Sequence, residues 1–526
     1  MKKKTLFLAT ILVLILVLTS GGYAAPKQQA KKAAPKEQPK MGGTLVFGQG
    51  KEFTNPNPFV NTTSSFQFVK ETAYESLLTY NDDEKIVPGL AESYDISTGG
   101  TEFTFRLRKG VKFHNGKEMK ADDVVWSANH VKDPKNGAFG QNTIKDVKSV
   151  EKIDDYTVKF TLDSPSVLFL SNMATIRMLP VVAANSLRPG QLKLEANTFA
   201  PGTGPFMFEQ YQPGFETILK KFPDYWGGPA YLDKLVFRPI TDDANRFNAL
   251  RSGDAQMADR ISSLDAARVK KGEVKGIAMI EEPFGGYNHL LFNNLSPLLQ
   301  KKEMRQAIAY AIDKKRIADE IFYGAARPTD IMMDPQGVWG KAANLPPQKR
   351  NLAKAKELLK AADYKGQDLV LIGRKQDAQF NEAFQRMLGE AGIKVKIDIL
   401  ESGVYKDRYV AGKYDLYIAG GTITADPVLT MSEHFYTVKM AKGRYSNPKV
   451  DKLFEDLGAE FDQKKRLQLF KDLASTLYVT DLGAVPLCFD IRYVGMSEKV
   501  RGYGPPAGKN YREGSSGNYF KRVWLN

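Results

Sequence analysis

The stretch Phe103–Ser127, FTFRLRKGVKFHNGKEMKADDVVWS, decides which fold this sequence predicts. Phe103, Phe105 and Leu107 alternate with polar residues, so one face of a half-buried strand is apolar. The Asn115-Gly116 pair that follows tolerates positive φ and is typical of a tight hairpin turn. The stretch therefore predicts antiparallel strands in the first part of the chain.

Other segments extend this pattern along the chain. Residues 150–165 contain an Asp-Asp turn followed by alternating apolar residues, which indicates a second antiparallel pair. Farther on, segments with helical spacing alternate with short apolar strands, and Asn351 is a predicted helix N-cap. One helical face is predicted for Met304, Ile308, Ala311 and Ile312. This alternation predicts an α/β domain between about residues 281 and 488.

The N-terminus has the order of a secretory signal peptide. Three lysines precede an apolar run from Leu6 to Leu18, and small residues follow. The run is shorter than the roughly 20 residues that a membrane span needs. We expect a signal peptide over residues 1–24 and a disordered leader over 25–41, which lacks large apolar residues before Met41. An uncleaved N-terminal anchor is the alternative. No cysteine directly follows the run, so we expect a soluble periplasmic protein without a lipid anchor.

Composition limits the possible classes of protein. The chain has 526 residues, of which 42% are hydrophobic, enough for two or more domains with sizeable cores. Cys488 is the single cysteine, so no intrachain disulfide can form. The net charge of +15 falls to about +8 once the lysine-rich residues 1–41 are set aside. Because no dense basic run with interleaved aromatics occurs, no nucleic-acid partner is predicted.

Motifs for catalysis are missing from the sequence. It contains neither a glycine-rich phosphate loop followed by lysine nor a nucleophile elbow. The histidines do not have helical metal-ligand spacing; they are His114, His130, His289 and His434. The paired carboxylates are adjacent in sequence and so do not form an acid/base pair across a cleft. We therefore predict no enzyme activity, no cofactor and no metal.

Several stretches, in order, resemble the extracellular solute-binding proteins of the peptide/nickel type, family 5, which feed ATP-driven importers. The opening stretch resembles the longest motif of that family. The other matching segments are IVPGLAESYDIS (86–97), GTGPFMFEQYQPG (202–214), FPDYWGGPAYLDKLVFRPI (222–240), ANRFNALRSGDAQMAD (244–259), MRQAIAYAIDKKRI (304–317) and DLGAVPLCFDIRYVGMSEKVRGY (481–503). The resemblance covers residues 42–526. It does not specify the ligand, since the family carries peptides, nickel complexes, haem and oligosaccharides.

The resemblance implies a fold and its domains. We expect an α/β, two-lobed periplasmic-binding-protein fold of the cluster C type, with an extra antiparallel subdomain in the first lobe. The implied limits are lobe I at 42–62 and 191–280, the subdomain at 63–190, lobe II at 281–488 and a return to lobe I at 489–526. The chain would cross between the lobes near IEEPFGG and VPLCFD, and the ligand would lie enclosed between the lobes.

The resemblance also implies a role. The protein would be a monomeric substrate-binding component of an ABC importer, delivering a peptide or peptide-like solute to the membrane permease. Two alternatives keep the binding function: the solute is an oligosaccharide or an organic anion, or the protein is a stand-alone secreted binding or receptor protein. A secreted hydrolase is a third class, which the missing catalytic motifs disfavour.

The first candidate ligand-binding residues lie near the predicted crossings and strand ends. Tyr287 and Asn288 come just after one crossing. Arg374 follows the strand DLVLIG, where an α/β lobe presents its ligand-facing strand ends. In peptide-binding relatives an arginine in this region takes a ligand carboxylate, which suits a guanidinium group. A surface arginine with no ligand contact is the alternative.

A second group of candidates lies in IAGGTITADP, residues 418–427. Peptide-binding relatives carry a tryptophan here and, three residues later, an aspartate that takes the peptide ammonium group. Gly420 and Ile423 occupy those two positions in this chain. We expect Thr422, Ile423 and Thr424 to line the cleft, with Asp426 either replacing the missing acid or serving as a turn residue. These residues give the hypothesis of a ligand that does not depend on a free α-amino group, whereas the family resemblance implies a plain peptide as the default; both are kept as predictions.

Overall fold

The computed structural model describes residues 38–526 apart from 62, 82–84, 196, 283–285, 423–425, 440–443 and 505–519. The described residues form a seven-stranded sheet, a six-stranded sheet, a four-stranded sheet and two short two-stranded ribbons. Among these residues, no helix combines the length and the hydrophobicity needed to span a bilayer. The predicted signal peptide and most of the predicted leader lie outside the described residues.

Residues 38–282 contain twelve of the described strands. These are β1 (Thr44–Gln49), β2 (Leu78–Tyr80), β3 (Ile86–Pro88), β4 (Ala91–Ile96), β5 (Glu102–Leu107), β6 (Val147–Asp154), β7 (Thr157–Leu162), β8 (Phe206–Gln212), β9 (Glu216–Lys221), β10 (Lys234–Pro239), β11 (Met257–Ile261) and β12 (Ile277–Glu282). The helices of this part are α1 (Ser64–Ala73), α2 (Ala121–Lys132), α3 (Gln141–Ile144), α4 (Leu168–Met173), α5 (Asp243–Ser252) and α6 (Ser263–Lys270).

Residues 286–490 are richer in helix. The strands are β13 (Gly286–Phe292), β14 (Ala326–Pro328), β15 (Leu369–Arg374), β16 (Val395–Leu400), β17 (Leu416–Thr422) and β18 (Ala484–Asp490). The helices are α7 (Pro297–Gln300), α8 (Lys302–Ala311), α9 (Lys314–Phe322), α10 (Val338–Ala343), α11 (Leu352–Ala361), α12 (Ala378–Glu390), α13 (Ser402–Val410), α14 (Pro427–Phe435), α15 (Pro448–Ala459) and α16 (Gln463–Ser475). The chain ends with β19 (Arg492–Ser497), β20 (Val500–Arg501) and β21 (Trp524–Leu525).

Lobe I is the part built on the seven-stranded sheet, with strand order β12-β19-β11-β1-β10-β9-β8. Its central strand β1 runs parallel to both neighbours, β10 and β11. Strand β19 returns from the far end of the chain and lies between β11 and β12. Lobe I therefore combines residues that precede and follow the second large sheet.

Lobe II is the part built on the six-stranded sheet, with order β14-β18-β13-β17-β15-β16. Helices cover both faces, so its strands are buried on both sides. Along β13, Leu290 and Phe292 belong to one apolar cluster, whereas Tyr287 and Leu291 belong to the other. The chain leaves the seven-stranded sheet at Glu282 and enters the six-stranded sheet at Gly286, and it returns across Ile491. The lobe limits inferred from the sequence stay predictions.

The opening stretch forms part of a separate antiparallel sheet, with order β4-β5-β7-β6. Phe103 and Phe105 are fully buried, as their alternation predicts. The turn at Asn115-Gly116 is also present: Gly116 has φ +82° and the Phe113 amide donates to the Lys117 carbonyl at 2.8 Å. However, β5 pairs with β4 and β7 and not with the segment after this turn.

Two helix boundaries show how well local signals predict this chain. Asn351 caps α11 by accepting a hydrogen bond from the Lys354 amide at 2.9 Å, which confirms the predicted N-cap. The single helical face predicted across Ala311 and Ile312 is wrong in one respect, because α8 ends at Ala311. Asp313 then caps α9 by accepting from the Arg316 amide at 3.0 Å.

Candidate functional site

The candidate site lies where the two large sheets approach each other. Strands β1, β10 and β11 are parallel, so their carboxyl ends lie on the same side of the first sheet. The antiparallel strand β19 begins on that side, because its residue Tyr493 pairs with Ile261 at the end of β11. In lobe II, Gly286 at the start of β13 pairs with Thr422 at the end of β17. Ligands of open α/β sheets bind beyond the carboxyl ends of parallel strands. We refer to these two strand-end regions as the cleft edges.

Tyr287 lies in the core beneath the lobe II cleft edge. Its side chain is buried, and its hydroxyl lies 3.0 Å from Nε2 of His434, at hydrogen-bond distance. Burial, with a smaller contribution from Glu433, raises the pKa of the Tyr287 hydroxyl. A Cβ on Gly421 would lie only 2.4 Å from the Tyr287 hydroxyl oxygen, so this glycine leaves room for the ring. A ligand contact of Tyr287 stays a prediction.

Asn288 points to the opposite face of the same strand. It is half-buried, and its Oδ1 lies 3.2 Å from the position of a Cβ on Gly420. The Asn288 side chain also hydrogen-bonds Cys488, whose thiol pKa is raised mainly by burial. The thiol is therefore protonated and enclosed, as its apolar sequence setting suggests. Asn288 stays a candidate at the end of the sheet.

Arg374 is the last residue of β15, and its side chain is partly exposed. Its Nε donates to Asp377 Oδ2 at 2.8 Å, and its guanidinium lies 5.6 Å from the centre of the Tyr405 ring. The hydrogen bond to Asp377 is the main reason why the pKa of Arg374 is raised. The Arg374 side chain keeps 41% of its surface exposed. This orientation is compatible with the predicted carboxylate contact, which stays a prediction.

Asp426 is engaged inside lobe II. Its Oδ1 accepts a hydrogen bond from the Val428 amide at 2.9 Å, which caps α14. Its Oδ2 lies 2.7 Å from Nη2 of Arg466, and both side chains are more than nine-tenths buried. These contacts favour the alternative of a structural residue at the helix start over a replacement for the ammonium-binding acid.

Three further candidates, Thr422, Ile423 and Thr424, belong to the same segment. Thr422 is the last residue of β17, and its backbone pairs with Gly286. Ile423 and Thr424 lie outside the described residues, as does the predicted crossing at 283–285. Their ligand contacts stay predictions. No group of three or more His, Cys, Asp or Glu positioned to hold a metal ion occurs in the described part of the chain.

Sequence reasoning missed an ionic cluster at the lobe I cleft edge. The Asp259 carboxylate is buried and accepts a hydrogen bond from the Gly50 amide at 2.6 Å. Burial raises the pKa of this carboxyl group above its ordinary value. Arg260 follows it and has φ +50°. The signal available in the sequence is MADRIS, in which a charged pair interrupts an apolar strand at its end.

Charged groups also join the lobes at the crossings. Asp490, the last residue of β18, accepts a hydrogen bond from the Gly286 amide and lies near Arg492 and Arg260, while burial raises its pKa. At the sheet margins, Arg327 of β14 donates to the Glu281 carboxylate of β12. Both crossings are thus tied together by contacts between lobe I and lobe II.

A second contact between the lobes involves the four-stranded subdomain, and we call it the tip contact. The Val167 amide donates to the Gly458 carbonyl at 3.0 Å. Leu168 packs against an apolar cluster of lobe II, while Phe461 of lobe II packs against the lobe I cluster, 6.3 Å from the ring centre of Phe103. The contact is reciprocal, because each side inserts a large apolar side chain into the other.

We expect Phe461→Ala to weaken closure of the two lobes. Removing most of a partly buried phenyl group costs about 1–2 kcal/mol of contact energy, equivalent to roughly 5- to 30-fold in a closing equilibrium. Small-angle scattering should show a larger radius of gyration than for the unmodified protein. Phe215→Ala removes an equally large side chain from an exposed position and is the control. Equal radii for the two variants would contradict this role of the tip contact.

Two lobes on separate sheets, joined by two chain crossings and facing each other with their strand ends, define a two-lobed solute-binding protein. The family model for bacterial extracellular solute-binding proteins, family 5 (middle), matches residues 85–442. The chain belongs to this family. The predicted family and the predicted two-lobed α/β fold with its antiparallel subdomain are therefore confirmed.

Named relatives extend over nearly the whole chain. The dipeptide-binding protein of Escherichia coli K12 is 29% identical over 90% of this chain and 94% of its own length. The periplasmic binding protein DppA of Helicobacter pylori, solved with the peptide STSA, is 27% identical with a TM-score of 0.74, covering 92% and 98% of the two chains. AgaA of A. tumefaciens R10, solved with agropinic acid, is 28% identical with a TM-score of 0.72, covering 92% and 99%.

Proposed function

We propose that the chain is the substrate-binding component of an ABC importer and captures a peptide or peptide-like solute between its lobes. The observation that carries this proposal is the pair of facing cleft edges within a family 5 fold. The similarity to the dipeptide-binding protein of E. coli and to peptide-bound DppA supports a peptide-like solute. The closed protein would then deliver this solute to the permease.

Binding requires a change of shape and no chemical reaction. The lobes close over the solute, and the free energy available for closure is the difference between the solute's affinities for the open and closed forms. At the crossings and at the tip contact, described residues of the two lobes touch each other. Scattering should therefore show compaction when a binding solute saturates the protein, and the solute should be recovered unchanged.

The proposal includes a location and a state. The signal peptide is removed after Ala24, and the mature protein is a periplasmic monomer without a nucleic-acid partner. The order of charged, apolar and small residues at the N-terminus supports the cleavage. Recovery of the protein in the membrane pellet after a salt wash would contradict this location.

A second candidate solute is a small organic anion. By the family resemblance, Ile423 takes the position of the ammonium-binding aspartate of peptide-binding relatives, and the contacts of Asp426 occupy its carboxylate inside lobe II. AgaA, solved with agropinic acid, shares 28% of its residues with this chain. Both observations favour a solute that is recognised without a free α-amino group. An oligosaccharide is the remaining alternative.

A calorimetric screen tests these proposals. The probes are free dipeptides and tripeptides, their N-acetylated forms, sugars and small carboxylates. We expect N-acetylation to change peptide affinity less than about 10-fold, because no charge-assisted contact to the ammonium group is lost. Tight binding of free peptides that N-acetylation abolishes would show that another acid replaces Ile423. Binding of none of these probes, or their hydrolysis, would contradict the proposed function.

A further inference from the structure

We propose that Arg260 contacts the solute from lobe I and selects solutes that carry a carboxylate group. This inference deepens the proposed function and rests on it, because it names the chemistry that the same cleft recognises. It concerns a residue at the lobe I cleft edge, opposite the candidates that the sequence suggests in lobe II.

The backbone at Arg260 has an unusual conformation. Its φ of +50° lies in the left-handed region, which residues with a side chain other than asparagine or aspartate rarely adopt. The pairing of β11 with β19 shifts register between Ala258 and Ile261, so Arg260 lies in a bulge. Bulges at strand ends redirect a side chain, and they are frequent beside binding sites. The bulge therefore places this guanidinium away from the regular sheet.

A second arginine holds the bulge in place. The guanidinium of Arg246, on α5, is buried and donates to the carbonyls of Asp259 and Arg260 at 2.9 and 2.6 Å. It also donates to the carbonyls of Ile240 and Thr241, just after β10, at 2.8 and 3.3 Å. Arg246 thus joins the ends of two strands and maintains the conformation of Arg260. It is a positioning residue, because it is too deeply buried to reach a solute.

The side chain of Arg260 crosses the end of the central strand. Its Cδ lies 2.9 Å from the position that a Cβ on Gly50 would occupy, directly after β1. Because β1 lies between two parallel neighbours, this is the position at which solutes bind in open α/β sheets. The proximity of Arg260 to Asp490 of lobe II shows that it also faces the junction between the lobes. A glycine at position 50 leaves room for this path.

The charges at this edge favour an anionic solute. The Arg260 side chain keeps 26% of its surface exposed, whereas that of Asp259 keeps 2%. Nε of Arg260 forms a long ion pair of 3.8 Å with Oδ2 of Asp259, and Asp259 and Asp490 each accept a hydrogen bond from a backbone amide. Across the cleft, Arg374 is also partly exposed. A carboxylate matches the planar, two-donor geometry of a guanidinium group.

The test compares solutes that carry a carboxylate with amides that carry none. The probes are Ala-Ala against Ala-Ala amide, and glutarate against glutaramide, each measured by calorimetry on the full mature chain. We expect the unmodified protein to bind the acid of each pair roughly 10- to 100-fold more tightly than its amide. Arg260→Gln should abolish this preference, and Arg260→Lys should retain part of it. Arg268→Gln, an exposed arginine of the same lobe on α6, should leave the preference unchanged.

Arg260→Gly separates ligand contact from a structural role. Glycine adopts φ +50° readily, so relief of backbone strain offsets part of the loss of a counter-charge beside the buried Asp259 carboxylate, and this variant should stay folded while losing the preference for the acid. Equal affinity of the unmodified protein for acid and amide would overturn the proposal. A preference for the acid that persists in Arg260→Gln or in Arg260→Gly would also overturn it, because Arg260 would then only contact Asp490 and not the solute. If glutarate binds through Arg260 and no peptide binds, the peptide proposal fails and this inference stands.

Discussion

Replacing Arg246 with methionine should lower the free energy of unfolding by about 3 kcal/mol or more. The substitution removes donors to four backbone carbonyls at the ends of β10 and β11. The Asp259 carbonyl is buried and the other three are partly buried. A buried carbonyl that loses its partner costs about 1–3 kcal/mol, a partly buried one costs less, and methionine fills the space without replacing the bonds. Because the bulge at Arg260 loses its support, the preference for acidic solutes should fall as well. Urea denaturation and calorimetry measure the two effects.

Arg305→Met is the matched control for this variant. Arg305 is also buried and also donates to four carbonyls, those of Leu299, Gln300, Asp481 and Leu482, but it lies in lobe II away from the cleft edges. Its loss should destabilise the protein to a similar extent and leave solute selectivity intact. A similar loss of selectivity in both variants would show that destabilisation alone explains the effect of Arg246→Met.

Breaking the ion pair between Asp426 and Arg466 should have a comparably large effect. The two side chains lie 2.7 Å apart and keep only 3% and 6% of their surfaces exposed. Removing one partner leaves a buried charge without its counter-ion, which costs about 3–5 kcal/mol. Asp426→Ala also removes the cap of α14, which adds about 1 kcal/mol. Thermal or urea denaturation of each single variant measures these losses.

The double variant makes this prediction specific. When both partners are absent, no uncompensated charge remains, so Asp426→Ala with Arg466→Ala should lose less stability than the two single losses combined. Arg316→Ala, which breaks exposed ion pairs, should cost less than about 1 kcal/mol and is the control. Strict additivity of the two single variants would contradict the paired role. If Asp426→Ala weakened peptide binding but left the free energy of unfolding unchanged, Asp426 would instead be the acid that binds the ammonium group.

Local patterns predict much of this fold because they report burial along one element. The alternation at Phe103 and Phe105 and the cap at Asn351 depend only on neighbouring residues, and both are found in the structure. The order of the family motifs along the chain predicts the two lobes in addition. Local patterns do not predict which strands pair with β5, because its pairing with β4 and β7 depends on tertiary packing.

The site is harder to predict because charge alone does not reveal burial. Arginine is usually a surface residue, yet Arg246 and Arg466 are both buried. In each case at least one backbone carbonyl and a carboxylate together accept hydrogen bonds of the guanidinium group. Asp426 precedes a proline and could have faced the cleft, but its helix and its ion pair direct it inward. The position of the Arg260 side chain depends on a left-handed φ, and the residue types in MADRIS do not predict this backbone conformation.

The position of β19 between β11 and β12 has a consequence for biosynthesis. The seven-stranded sheet cannot be completed until residues 492–497 have left the ribosome, whereas residues 286–490 contain every strand of the six-stranded sheet. Contiguous units fold during translation, while pairings over a long separation wait for loop closure. In a nascent chain, β12 therefore lacks its strand partner, and β11 lacks one of its two neighbours, until translation is nearly finished.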